Sequence, residues 1–320
     1  MLDWTIIFPF VAGVLLVFQN AQNAELGSKT SIAFGAFVAN VLAAFITFIV
    51  WMIQSNGASD INYWDSIGEA PSWSWLGGPF AIGFVLILTA IIPVIGSAVS
   101  SCCVITCQLI FSLLADHFAI FGFPYKEATT LRIVGTALAL IAILSMSVVD
   151  HIRSNYSKIN TIASSRGAMN LKYATFCVLA FVAGWLISTM SGMISALAER
   201  TTNAFASFIT LFLASIGLGI YLLFDFFVMK NQFKPSDLLY LQWWAWVGGI
   251  GEAYFCTIAP FVIPRLGAAI FYSTTILAQV PTSIIVDHFG LLGVQKQHTH
   301  WNRWFGVLLM FISVYLVTFA

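Results

Sequence analysis

Ten runs of about 20 mostly apolar residues follow one another along this chain, at roughly 4–23, 31–53, 75–95, 97–116, 131–149, 173–196, 204–228, 245–263, 267–286 and 302–319. A helix of that length crosses the hydrocarbon core of a bilayer, and little chain is left over for anything else. Only 8% of the 320 residues are charged and the mean hydropathy is +0.92. A soluble domain carries roughly 25% charged residues, so a soluble fold of this size could not cover its surface with polar groups. A cytosolic enzyme, a nucleic-acid binder and a disordered chain are excluded on that ground, and an all-α polytopic membrane protein with the lipid bilayer as its first partner is expected. The formal net charge of zero says nothing about further partners. The first run lacks a basic leader and a small-x-small cleavage site, which reads as a membrane helix rather than a signal. Cys102, Cys103, Cys107, Cys177 and Cys256 lie in apolar runs without metal-ligand spacing and read as small buried residues.

The sequence repeats itself at a shift of about 171 residues. Phe10-Val-Ala-Gly13 recurs as Phe181-Val-Ala-Gly184, and Trp73, Trp75, Gly77 and Gly78 recur as Trp244, Trp246, Gly248 and Gly249. Pro93 and Gly96 recur as Pro264 and Gly267. Gln108, Ser112, Asp116-His117-Phe118 and Gly122 recur as Gln279, Ser283, Asp287-His288-Phe289 and Gly293, and Arg132 and Gly135 recur as Arg303 and Gly306. Two five-helix repeats are therefore expected, over 1–150 and 172–320, joined by a basic linker over 151–171 that carries Arg153, Lys158 and Arg166. Five is odd, so the second copy enters the membrane upside down. Inverted repeats of this kind characterise secondary transporters, whose substrate sites lie near the midplane at the repeat interface.

The residues that repeat also carry a resemblance. Gln19-x3-Asn23-Ala-x-Leu-Gly27, Trp-x-Trp-x-Gly-Gly, Pro-x2-Gly, Gln-x7-Asp-His-Phe and Arg-x2-Gly resemble the YdcZ-type family of bacterial inner-membrane exporters, which is similar to the drug/metabolite transporter superfamily. Usual members of that family are single five-helix units, and this chain looks like a fused pair. The match is strongest over 73–135 and 244–306; in the second half Met190, Met193-Ile194 and Ala198 stand in place of Gln19, Gln22-Asn23 and Gly27. The resemblance implies export of a small molecule across the inner membrane by alternating access, without naming the molecule. In the wider superfamily the cavity is lined by helices 1, 3, 4, 6, 8 and 9.

Ten spans put both termini on one side. That side holds Lys126, Arg132, Arg200 and Arg265. The other holds Lys29, Arg153, Lys158, Arg166, Lys172, Lys230, Lys234, Lys296 and Arg303. The excess of Lys and Arg on the second side makes it cytoplasmic, with the termini and the acidic 54–74 loop outside.

Glu252 is the one charged residue deep inside a run, about 10 Å from the start of its helix at 1.5 Å per residue. An ionised carboxylate there is costly unless it faces a cavity, pairs, or stays protonated. It reads as a proton-coupling or cation-binding group, or as a protonated Glu bonded to a neighbouring helix. Its repeat mate is Ala81, so the twofold frame does not require it. Gln108, Ser112 and Asp116 are spaced by four, as are Thr275, Gln279, Ser283 and Asp287. Each set lies on one helical stripe that either lines a cavity or bonds across helices. Gln108 and Gln279 are the expected ligand-orienting groups, with Ser112 and Ser283 as cavity lining. Asp116 and Arg132, and likewise Asp287 and Arg303, are 16 residues apart, which suits an ion pair closing a hairpin or, less economically, a gate. Asn20 and Asn23, with Gln19 and Gln22, make helix 1 polar toward its cytoplasmic end, as a vestibule or a cap. The tryptophans at 73, 75, 243, 244 and 246 suit the membrane interface better than an aromatic box for a cation. No cofactor or metal is implied, since no Walker motif or ligand cluster is present.

The leading reading is thus a secondary exporter of a small solute, possible coupling to protons resting on Glu252. An integral-membrane enzyme built on the Asp-His pairs is weaker, because two inverted copies would face opposite sides of the bilayer. A membrane scaffold without transport is the third.

Overall fold

A computed structural model describes residues 3–55, 67–95, 97–156, 166–229, 238, 241–293 and 301–319. Among them the chain is all helical, with ten α-helices: α1 (Ile7–Lys29), α2 (Ile32–Gln54), α3 (Gly77–Ile95), α4 (Ser97–Phe118), α5 (Thr130–Tyr156), α6 (Arg166–Ala198), α7 (Asn203–Phe227), α8 (Gly249–Leu266), α9 (Ala268–Phe289) and α10 (Trp301–Thr318). Six stretches are long and apolar enough to cross a membrane: Trp4–Lys29, Ile32–Gln54, Ala174–Ala198, Asn203–Phe227, Trp243–Leu266 and Ala268–Phe289. Helices α3, α4, α5 and α10 contribute shorter apolar stretches. The acidic loop residues Asp60 and Asp65, Lys158 in the linker, and Lys230, Lys234 and Lys296 lie outside the described residues.

Two helices reach further than their apolar runs. The apolar pattern ends α5 at 149 and starts α6 at 173, yet α5 continues to Tyr156 and α6 begins at Arg166. Apolarity marks where lipid ends; the helical backbone needs no lipid and propagates into the polar segment until a break stops it.

Local signals recur at the repeat shift. Thr30 closes α1 by donating its hydroxyl to the Leu26 carbonyl at 2.7 Å, and Ser31 caps α2 by accepting from Phe34 N at 3.1 Å. In the second half Thr201 donates to Leu197 O at 2.7 Å, and Thr202 accepts from Phe205 N at 3.2 Å. These caps occupy backbone groups that the ends of each helix leave unpaired. The two tryptophan motifs fold alike, as 3-10 turns over Ser72–Leu76 and Trp243–Val247 that lead into α3 and α8.

Packing repeats as well. Helix α1 packs against α8 and α9, and α6 packs against α3 and α4; α2 pairs with α7, and α5 with α10. Exchanging each helix for its repeat mate leaves this pattern unchanged. Glycines make the crossings close. A Cβ on Gly13 would strike Thr275 O and Ala278, and one on its mate Gly184 would strike Val104 O and Cys107, the repeat mates of those same residues. Gly78 meets Thr210 O and Leu213, and Gly249 meets Ala39 O and Leu42, again mates of each other. In α2 and α7 the contacts run in opposite senses: Trp51 touches Phe205, Phe48 touches Phe208, and Asn40 touches Ser215, so the two mates lie antiparallel.

Gly78→Val and Gly249→Val should each cost about 1–3 kcal/mol by forcing backbones apart and lower the thermal midpoint in detergent by similar amounts. Gly68→Ala, with nothing within 4 Å of the added carbon, should stay within about 0.5 kcal/mol. A large loss at one of the first pair and none at the other would break the equivalence of the two crossings.

Candidate functional site

Glu252 lies in the first turn of α8, where the glycines of 248, 249 and 251 leave room for α1 and α2 to come close. Both of its oxygens are held by the other half of the chain. Asn40 Nδ2 on α2 donates to Oε1 at 2.8 Å, and Gln19 Nε2 on α1 donates to Oε2 at 3.3 Å. Behind Asn40, the Ser215 hydroxyl on α7 lies 3.4 Å from Asn40 Oδ1 and donates a shorter bond of 2.8 Å to Leu211 O in its own helix. Asn40 is 1% exposed, Gln19 and Ser215 are buried, and Glu252 retains partial access. Glu252 stands inside the apolar candidate span Trp243–Leu266, nine residues from its start and fourteen from its end.

The ion pairs among the described residues are Lys29–Glu25, Arg132–Asp116 and Arg200–Glu69, and none includes Glu252. Its partners are neutral amides, which stabilise negative charge by hydrogen bonding without cancelling it. The surroundings add acceptors rather than donors. Gln19 Oε1 and Asn23 Oδ1 are buried without a hydrogen-bond partner among the described residues, and both face the α8 glycines: a Cβ on Gly251 would lie 3.1 Å from Gln19 Oε1, and one on Gly248 2.8 Å from Asn23 Oδ1. A carboxylate and two open carbonyls suit a ligand that brings protons or positive charge.

This cluster belongs to one half-to-half contact and has no mirror image. The repeat mates of Gln19, Asn40, Ser215 and Glu252 are Met190, Leu211, Ala44 and Ala81, all apolar. Four polar positions on four helices have apolar mates, while the glycine crossings around them are equivalent in the two halves. A group of buried hydroxyls lies between α6 and α9, where Tyr272 donates to Ser191 Oγ at 2.8 Å.

The other expected residues are placed as follows. Asn20 is exposed on the outside of α1, because one step along a helix turns a side chain by about 100° from buried Gln19. Gln108 and Gln279 are half-buried on α4 and α9 and take no part in the hydrogen bonds to Glu252. Ser112 and Ser283 spend their hydroxyls on the carbonyls of Leu109 and Val280, three residues back.

Asp116 does more than meet Arg132. The pair is present at 3.9 Å, but the closer partners are the backbone N–H groups of Ala268 and Ala269, which donate to the two carboxylate oxygens at 2.7 and 3.0 Å. Asp116, at the end of α4, thereby caps the first turn of α9 in the other half, where the macrodipole favours a negative charge. Gly267 makes the approach possible: its φ is +89°, and a Cβ there would lie 2.7 Å from Asp116 Oδ2. The hairpin is closed by further contacts besides this pair, Lys126 N donating to Asp116 O at 2.7 Å and Ala128 N to His117 Nδ1 at 3.3 Å. The side chain of Arg303 lies outside the described residues, and with it the Asp287–Arg303 pair.

Sequence reasoning passed over Asn40 and Ser215. Asn40 had a signal: it is the lone amide inside the apolar run 31–53, and a polar side chain at that depth needs a partner.

With this geometry in place, comparison with known proteins decides the family. The family model described as "Putative inner membrane exporter, YdcZ" matches the chain twice, over residues 4–145 and 175–316. The chain belongs to this family. The two matches cover both halves, so this YdcZ-type chain carries the family unit in duplicate. A solved crystal structure resembles it with a TM-score of 0.72 over 98% of this chain and 97% of the other, at 12% identity, which speaks to the fold alone. No curated protein matches the sequence.

Asp116→Ala should strip α9 of its cap and leave Arg132 buried without its counter-charge, costing roughly 2 kcal/mol or more. Arg132→Met in the same chain should recover part of that loss. Strict additivity of the two changes in thermal unfolding would show that the 3.9 Å pair contributes nothing.

Proposed function

We propose that this YdcZ-type chain is a secondary exporter of small organic cations, working by alternating access between two inverted five-helix repeats and exchanging substrate for protons at Glu252. The observation that carries the reading is Glu252 itself: a carboxyl inside an apolar span, held by Gln19 and Asn40 of the opposite half and, among the described residues, by no cation.

The inverted arrangement is supported by α2 and α7. Two repeat mates that pack antiparallel are related by an axis across the helices rather than along them, which lies in the membrane plane. Two such halves have two mirror-related packings of similar energy, the requirement for opening to alternate sides. A site made from both halves is remade whenever they shift, so its occupancy and their packing are coupled.

At the site, a proton and a cation would compete for one carboxylate. Each neutralises it, and the amide donors of Gln19 and Asn40 hold it in place in the interval. Exchange of one for the other couples export to the inward proton gradient without a nucleotide. Gln108 and Gln279 are proposed to meet the ligand from α4 and α9, with Asn23, Ser112 and Ser283 along the route. Asp116 with Arg132, and Asp287 with Arg303, are proposed as the end contacts that make and break between states. The Lys and Arg distribution supports a cytoplasmic 151–171 linker and termini outside.

Glu252→Gln should insert and unfold like the parent chain but lose the pH dependence of transport. A thermal-shift screen of amines, amino acids, sugars and drugs supplies a substrate, and its flux into proteoliposomes at two pH values reads the effect. Unchanged pH dependence would remove the coupling role. Orientation is checked with one cysteine in the linker of a cysteine-free chain: an impermeant maleimide should label it in broken cells and not in intact ones, and labelling in intact cells would reverse the topology.

A further inference from the structure

The molecule has an apolar groove on its outside, between α2 and α7, of about 320 Å³, lined by Val41, Ala44, Phe45, Phe48, Phe208, Phe212 and Ser215. Val41, Phe45 and Phe212 are exposed at its rim, at 41%, 59% and 44%, so in a membrane it opens to lipid. Its walls are aromatic and mutually braced: Phe208 lies 5.2 Å from Phe48 and 5.6 Å from Phe212 between ring centroids, and stacks on Trp51 at 5.6 Å. The groove sits 9–16 residues along the 23 of α2, around the middle of that helix.

One member of the lining is polar. Ser215, at the floor, is 3.4 Å from Asn40 Oδ1, and the same Asn40 amide donates to Glu252 Oε1 at 2.8 Å. The carboxylate is therefore one side chain away from a lipid-facing pocket. The repeat mates of Asn40 and Ser215 are Leu211 and Ala44, so this polar contact has no twin in the other half.

We infer that the groove between α2 and α7 is a lateral entry port through which amphiphilic amines reach Glu252 from the bilayer. This rests on the Glu252 reading and names its substrate class. The chemistry fits in three parts. The apolar body of such an amine can trade its contacts with lipid tails for close packing against the aromatic walls. The ammonium head is attracted to ring faces on the way in. At the floor it finds acceptors in Ser215 Oγ and Asn40 Oδ1, and beyond them Glu252, with Gln19 Oε1 still open. Asn40 acts as the swivel between groove and site: its carbonyl faces the groove floor and its NH₂ faces the carboxylate. Only a cation with an apolar tail uses every part of this path; a small hydrophilic cation has no reason to pass through lipid.

Binding of 4-phenylbutylammonium and of methylammonium to the full-length protein in phosphatidylcholine nanodiscs tests this, with empty nanodiscs as the partition control. Val41→Trp fills the rim from an exposed position and should not disturb folding; Ala44→Phe fills the pocket deeper. Each should slow association of phenylbutylammonium by about tenfold or more and change that of methylammonium by less than about twofold. Glu252→Gln should remove binding of both. Phenylbutylammonium binding that ignores Val41→Trp would overturn the port and leave the Glu252 reading standing, as would a groove that holds only a bilayer acyl chain, because both give the same null. A parent chain that binds neither amine, yet loses pH-dependent transport of another solute on Glu252→Gln, would reject the substrate class alone. Retention of both amines by Glu252→Gln would reject the reading and the port together.

Discussion

Helices in a bilayer gain nothing by hiding apolar side chains from water, because lipid already does so. What remains to hold them together is close packing, and close packing requires small residues where backbones cross. The architecture of this chain depends on four such crossings, at Gly13 and Gly184, and at Gly78 and Gly249. Each joins a helix of one half to a helix of the other. The halves are thus interleaved rather than side by side: α1 lies against α8 and α9, and α6 against α3 and α4. A five-helix unit alone would leave these glycine faces open, which gives a physical reason for the unit to occur in duplicate in one chain.

Interleaving decides where polar groups can go. A charged or amide side chain inside the bundle has to find a partner across a seam, and the most extensive seams here run between halves. Glu252 reaches Gln19 and Asn40 across one of them, and Asp116 reaches the α9 N-terminus across another. The two solutions differ in kind. Asp116 is fully satisfied, with a backbone donor on each oxygen and Arg132 nearby, and reads as structure. Among the described residues Glu252 has neutral donors only, with open acceptors beside it, and its repeat mate is an alanine.

Much of the fold was legible before any coordinates, because spans and repeats are written in residue types. The runs marked all ten helices, and the shift of about 171 residues foretold which contacts come in pairs. The helix ends were less legible: apolarity stops at 149 whereas α5 continues to Tyr156. Glu252 stood out as a lone charge, but its partners did not. Gln19 was one of four candidate amides on α1, and only the helix rotation separates it from exposed Asn20. Asn40 was overlooked because a single amide in a long apolar run looks like noise until something faces it. Asp116 was matched to Arg132 by spacing, while its nearer partners are backbone N–H groups of Ala268 and Ala269, which have no residue type to read.

The Asp116 cap also bears on how two states could stay close in energy. It ties the end of α4 to the start of α9, so any separation of those halves at that end gives up two charge-assisted hydrogen bonds, each worth roughly 1.5–3 kcal/mol. A loss of that size would lock the molecule unless something at the other end replaced it. The sequence carries the replacement parts: Asp287 ends α9 as Asp116 ends α4, and Gly96, Ser97 and Ala98 stand where Gly267, Ala268 and Ala269 stand in the other half. In the proposed cycle one cap opens as its mate closes, so the cost at one face is offset at the other. The energy left to choose between the states is then small enough for a proton or a cation at Glu252 to decide, and the asymmetric site can drive a symmetric frame.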